Sequence, residues 1–109
     1  MKYCCSNNQR TGSCYFELQK GKFSDKWWLD DSLYLSADTF DSLSLHQLFT
    51  TAVPEFYYYG ITEIDKEKWE LIKLTADKIG GEVKIVIDEI CAWTALFLPG
   101  KSVVTILGI

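Results

Sequence analysis

Chemistry at neutral pH would have to start from His46, in the stretch SLHQLF, and from the thiols of Cys4, Cys5, Cys14 and Cys91. Histidine is the commonest general acid or base. A cysteine nucleophile needs such a base beside it, so any dyad here must recruit His46. A lone histidine in a helical stretch is more often structural. Neighbouring Cys4 and Cys5 do not readily pair with each other, and no C-x-x-C is present. The spacing of Cys4, Cys5, Cys14 and His46 follows no zinc pattern. These cysteines read most simply as small apolar side chains or exposed thiols. The competing reading is a small thiol-dependent enzyme or ligand-binding domain, which requires one cysteine with a depressed pKa.

The carboxylates offer a second chemistry. Asp30–Asp31 is the densest pair, and two carboxylates can hydrolyse a glycosidic bond. A chain of 109 residues leaves little room for a sugar cleft, and Asp88–Glu89 reads more simply as a helix start. Gly80–Gly81 follows a helix and precedes an expected strand, the reverse of the order in a phosphate loop. G-x-S-x-G, H-E-x-x-H and calcium-loop patterns are missing from the sequence. The expectation is a non-enzyme without cofactor or metal.

Aromatic residues make up 15% of the chain, more than a core of this size can enclose. Two stretches combine rings with carboxylates. One holds Asp25, Trp27, Trp28, Asp30, Asp31 and Tyr34; the other holds Glu55, Tyr57, Tyr58, Tyr59 and Glu63. Tyr and Trp give large contact area for little lost entropy, and carboxylates pair with Lys or Arg of a partner. Any single ring is as readily core as interface. For the set, a partner-binding face is favoured, because strand alternation sends about half the rings outward.

The elements that must position these residues follow from periodicity and turn chemistry. Residues 6–13 are polar turn formers, and 1–13 are expected to be a loose N-terminal segment of a single domain spanning 1–109. Cys14–Leu18 is a strand candidate, with a turn over Gln19–Asp25. In Trp27–Ser36, alternation puts Leu29, Asp31, Leu33 and Leu35 on a core face, and Trp28, Asp30, Ser32, Tyr34 and Ser36 on an exposed one. A break at Asp30–Asp31 would split the run. Asp38 or Asp41 is expected to cap a helix over Leu43–Thr51 that buries Phe40, Leu43, Leu48 and Phe49 and ends before Pro54.

Phe56–Ile61 reads as an aromatic strand. Asp65 then caps the clearest helix, with Trp69, Ile72, Ala76 and Ile79 on one face and Gly80–Gly81 as its stop. Val83–Ile87 reads as a β-branched strand. Asp88–Ala95 is expected to be a helix capped by Asp88, with a strand over Thr94–Leu98 as the alternative. Pro99–Gly100 is a turn, and Ser102–Leu107 is a closing strand. The expected fold class is α+β, a mostly antiparallel sheet of about five strands with two or three helices packed on it.

Bulk properties narrow the function. The formal charge is −4, with 15 acidic against 11 basic residues and no basic stripe. Nucleic-acid binding needs clustered Lys and Arg, so that class is not expected. An acidic protein is suited to a basic partner. No apolar stretch reaches membrane-spanning length, and Met1–Arg10 does not resemble a secretion signal. The expectation is a cytoplasmic protein with reduced thiols and no membrane partner.

The acidic, aromatic-rich middle, the helix DKEKWELIKLTADKIGG, the apolar DEICAW segment and the strand TILGI resemble the small immunity proteins of bacterial toxin–immunity systems, including those of contact-dependent growth inhibition. The resemblance covers residues 27–109 and contains no invariant motif. It implies a cytosolic antidote that binds one toxin domain one-to-one and covers its active site. Many such toxins are nucleases, whose basic clefts an acidic patch can occupy. A homo-oligomeric structural or adaptor domain, burying the same rings against a second copy, is the further alternative.

Overall fold

The computed structural model describes residues 1–95 and 103–108. Among these, five strands form one antiparallel sheet: β1 (Cys4–Cys5), β2 (Tyr15–Lys20), β3 (Leu33–Ser36), β4 (Ile61–Asp65) and β5 (Val103–Leu107), in the order β1-β3-β2-β5-β4. A 3-10 turn spans Asn7–Gln9. The α-helices are α1 (Ala37–Ser42), α2 (Leu45–Ala52), α3 (Lys66–Ile79) and α4 (Gly81–Thr94). The α+β class, with its antiparallel sheet and helices, is as the sequence predicts.

The register explains the layering. Phe16 faces Leu35, Leu18 lies between Leu33 and Ile106, and Ile64 faces Val104. These residues share one sheet face and pack with Phe40, Phe49, Trp69, Ile72, Val86 and Ile90 from the helices in a single core. Residues at alternate positions, among them Glu17, Gln19, Tyr34, Thr105 and Glu63, belong to the opposite, outer face.

Ser36 caps α1 by accepting from the Thr39 amide at 3.2 Å. Ser44, at φ 55°, stands at the start of α2. Asp38 and Asp41 are therefore not the caps, and the expected single helix is two short ones meeting at Leu43–Ser44. Phe40, Leu48 and Phe49 are buried as expected, and Leu43 is partly so.

Asp65 caps α3 by accepting from the Lys68 amide at 2.9 Å, and Trp69, Ile72 and Ala76 form its buried face. Ile79 is the exception, being exposed at the last turn. The expected strand Val83–Ile87 is the first half of α4, and Asp88 lies inside that helix instead of capping it. Val86, Ile87, Ile90 and Trp93 recur at helical spacing and are all buried, so packing overrides the β-branched preference. Gly80 makes the reversal possible with φ 71° and ψ −163°, a region essentially reserved for glycine. Lys73 and Lys84 then pair with Asp88 and Asp77 across the α3–α4 hairpin.

Three other expectations are corrected. β2 continues through Gln19 and Lys20 because β5 pairs with both. Phe56–Gly60 is turn and loop, and the strand starts only at Ile61. The N-terminus is tied down: Cys4 and Cys5 pair with Leu35 and Tyr34, and the Glu89 carboxylate accepts from the amides of Lys2, Tyr3 and Cys4. The alternative strand through Leu98 and the Pro99–Gly100 turn lie outside the described residues.

Candidate protein-binding surface

The first aromatic stretch is built around a buried carboxylate. Glu17 is 2% exposed, on the outer face of β2. Its Oε1 accepts from the Trp28 amide at 2.8 Å. Its Oε2 accepts from the Leu29 amide at 2.9 Å, the Ser32 hydroxyl at 2.7 Å and the Gln19 side-chain amide at 3.0 Å. The Tyr34 hydroxyl lies 3.3 Å from the same oxygen and donates to the Leu29 carbonyl at 2.7 Å. A buried carboxylate is tolerated only when its lone pairs are filled, and here donors from the loop fill them.

The loop between β2 and β3 is thus laced onto the sheet. It cannot continue as a strand, because the Trp28 and Leu29 amides turn inward to Glu17. Only Leu33–Ser36 of the expected Trp27–Ser36 run is strand. Asp25 and Trp28 adopt φ 65° and 60°. For a bulky residue such as Trp28 this costs on the order of 1–3 kcal/mol, and such strain persists only where the surroundings over-determine it.

A second clamp comes from the N-terminal segment. Asn7 donates from Nδ2 to the Trp28 carbonyl at 3.1 Å and to Asp30 Oδ1 at 3.0 Å. Arg10 donates to Asn7 and lies over the Trp28 ring, 4.0 Å from its centre. The Trp28 ring in turn stacks on Tyr34, with centroids 5.9 Å apart.

These contacts sort the predicted residues. Trp27 is 55% exposed and Trp28 37%; Asp25, Asp30 and Asp31 are exposed. Tyr34 is corrected: it is fully buried, because the loop and the Arg10 segment lie over the outer face that alternation left open. Burial and the adjacent Glu17 carboxylate push its phenol pKa up. Asp30 and Asp31 also line a shallow hollow of about 370 Å³ with Cys5, Ser6, Leu33 and Trp93. Apolar walls beside carboxylates suit the stem and charged tip of a lysine.

The second stretch is held by ring packing. Tyr58 is half-buried, edge-on to Phe16 at 5.1 Å and to Phe40 at 5.9 Å, and its hydroxyl donates to Asp41 at 2.8 Å. That hydrogen bond is the main reason its pKa is pushed up to about 12. Tyr57 and Tyr59 flank it and point outward, 59% and 68% exposed. The in–out alternation therefore holds without a strand. Glu55 pairs with Lys68 at 3.8 Å, and Glu63 is exposed on β4. Glycine is required on both sides of the turn: a Cβ at Gly60 would sit 2.2 Å from the Tyr57 ring, and one at Gly108 1.9 Å from the Tyr58 carbonyl oxygen.

Glu17, Asn7, Arg10 and Phe23, whose ring meets Trp27 edge-on at 5.0 Å, belong to this surface and were not singled out in the sequence. The available signal was Glu17 itself, a carboxylate set between Phe16 and Leu18 in an expected strand.

The catalytic candidates are scattered. His46 is exposed on α2 against Phe56 and Tyr58. Burial pushes the Cys4, Cys5 and Cys91 thiols up, away from the thiolate that a nucleophile needs. Among the described residues, no group of three or more His, Cys, Asp or Glu is placed to hold a metal ion, and no helix is long and apolar enough to cross a membrane.

Comparison with known proteins adds no relative. No protein-family model, no curated protein and no solved structure matches the chain.

Proposed function

We propose that this protein is a binding inhibitor: a cytoplasmic immunity protein that neutralises a cognate toxin by covering its active site, with a basic nuclease cleft as the best-fitting target. The observation that carries the reading is the Trp27–Asp31 loop. Two tryptophans are presented to solvent on a backbone that Glu17 holds in a strained conformation. Rigid exposed rings beside carboxylates are the make-up of a binding hot spot, and ordering them before contact lowers the cost of association. The resemblance to immunity proteins points the same way.

Burial raises the Cys4, Cys5 and Cys91 thiols, which argues against those three as nucleophiles. The test requires a candidate toxin domain, to be sought first among the genes neighbouring this one. A one-to-one complex should form and weaken as salt rises, since exposed charges are screened. Asp30→Lys with Asp31→Lys should slow association while leaving the circular dichroism spectrum unchanged. Salt-independent binding, or an unaltered on-rate in the double variant, sinks the electrostatic role of the loop.

A further inference from the structure

β4 ends the sheet, and among the described residues no strand pairs with its outer edge. Ile61 faces Leu107 in the register, and the Gly108 amide donates to the Gly60 carbonyl at 2.7 Å. Hydrogen-bonded and non-bonded pairs alternate along an antiparallel ladder. Thr62 and Ile64 therefore direct their amides and carbonyls to β5, while Ile61 and Glu63 direct theirs away from the sheet. Among the described residues, no strand, loop or side chain takes up those groups.

Exposed edges are normally blunted by charged side chains, lysine above all, or by proline, a bulge or extreme shortness. The other edge, β1, is two residues long. β4 pairs without interruption over five residues, and neither lysine nor proline lies within it. Its charged side chains are Glu63 and Asp65, both exposed on the outer face. The surrounding segment 55–67 carries Glu55, Glu63, Asp65 and Glu67 against Lys66 alone, with exposed Tyr57 and Tyr59 at its head. A second copy paired about Glu63 would set that carboxylate against itself, which is unfavourable across strands. A basic strand meets the opposite situation.

We propose that β4 is a docking edge, on which an extended Lys- or Arg-bearing segment of the protein partner adds a sixth strand through the Ile61 and Glu63 backbone groups. Main-chain hydrogen bonds would supply affinity, and Glu63 and Asp65 would select basic residues at alternate positions. The inference rests on the reading of the protein as a binder of a basic partner.

The test uses a synthetic β-hairpin whose free strand alternates lysine with valine, and a control hairpin with glutamate in place of lysine. Residue-resolved amide exchange should slow at Ile61 and Glu63 with the lysine hairpin and not with the control. Glu63→Pro deletes one outward amide that the ladder does not use, so the fold should persist and hairpin affinity should fall at least tenfold. Glu63→Lys, which keeps the amide, should weaken the hairpin several-fold in low salt. Unchanged exchange at Ile61 and Glu63, or equal protection by both hairpins, overturns the proposal. If the lysine hairpin instead perturbs only Trp27–Asp31, the edge proposal fails while the basic-partner reading stands. Protection that rises with protein concentration in the absence of hairpin overturns both in favour of self-association.

Discussion

The two aromatic regions are exposed to similar degrees and are held by different means. The Trp27–Trp28 loop is fixed by polar groups: a buried carboxylate, two backbone amides and a guanidinium over a ring. The Tyr57–Tyr59 turn is centred on one half-buried ring, Tyr58, packed on Phe16 and Phe40, with hydrogen bonds from Tyr58 to Asp41 and from the Tyr57 amide to Thr62 beside it. Their charge differs too. Segment 21–32 mixes Lys22 and Lys26 with Asp25, Asp30 and Asp31, whereas 55–67 has a single lysine among its carboxylates. The loop's negative charge is concentrated at Asp30 and Asp31, whereas in the turn and the strand after it the carboxylates are spread along the whole segment.

Breaking the polar anchor should have the largest effect. Glu17→Ala strands several buried donors, each costing about 1–3 kcal/mol, so urea denaturation should show a loss of about 3 kcal/mol or more. Glu17→Gln keeps the shape and should lose less. At the other region, Gly108→Ala drives a Cβ into the Tyr58 carbonyl and should cost about 1–3 kcal/mol, read as an earlier urea midpoint.

Tyr58→Phe removes only the bond to Asp41 and should cost about 1 kcal/mol. The same bond fixes a pH dependence. With the folded pKa raised to about 12 from 10.0, the protonated phenol favours the fold. That contribution is complete below pH 10 and is lost as pH rises through about 12. In Asp41→Asn, absorbance titration should find the Tyr58 transition moved down towards 10. The smallest effects belong to the outward rings: Trp27→Ala and Tyr59→Ala should each change stability by less than about 0.5 kcal/mol. A larger loss would mean that the ring holds its region together and is not free for a partner.

How much of this was legible depends on the range of the deciding interaction. α3 was legible because its cap, periodicity and stop all lie within one segment. The first half of α4 was not, because VKIVI satisfies strand propensity locally and only the core shows that its apolar residues share a helical face. Trp28 was placed outward by alternation and is partly exposed, whereas Trp27, Tyr57 and Tyr59 were singled out only as members of an aromatic set in which core and interface rings were not told apart. Tyr34 was misplaced because the loop just before it folds back over it only when gathered by Glu17, and because Arg10, which also covers it, is remote in sequence. Glu17 was invisible as a site residue for the same reason: a carboxylate declares itself a clamp only once the amides it gathers are known.

The pairing of β2 with β5 also shapes how the molecule is made. Tyr15–Lys20 is central in the sheet, yet one of its neighbours is nearly the whole chain away, at Val103–Leu107. Closing that distance must precede any reward from the contact, so folding is expected to be slow for a domain of this size. On the ribosome, β2 waits with one side unpaired until residue 107 emerges. A protein built this way cannot complete its sheet while still being synthesised, so whatever contacts the finished fold makes begin only once the strand Val103–Leu107 is in place.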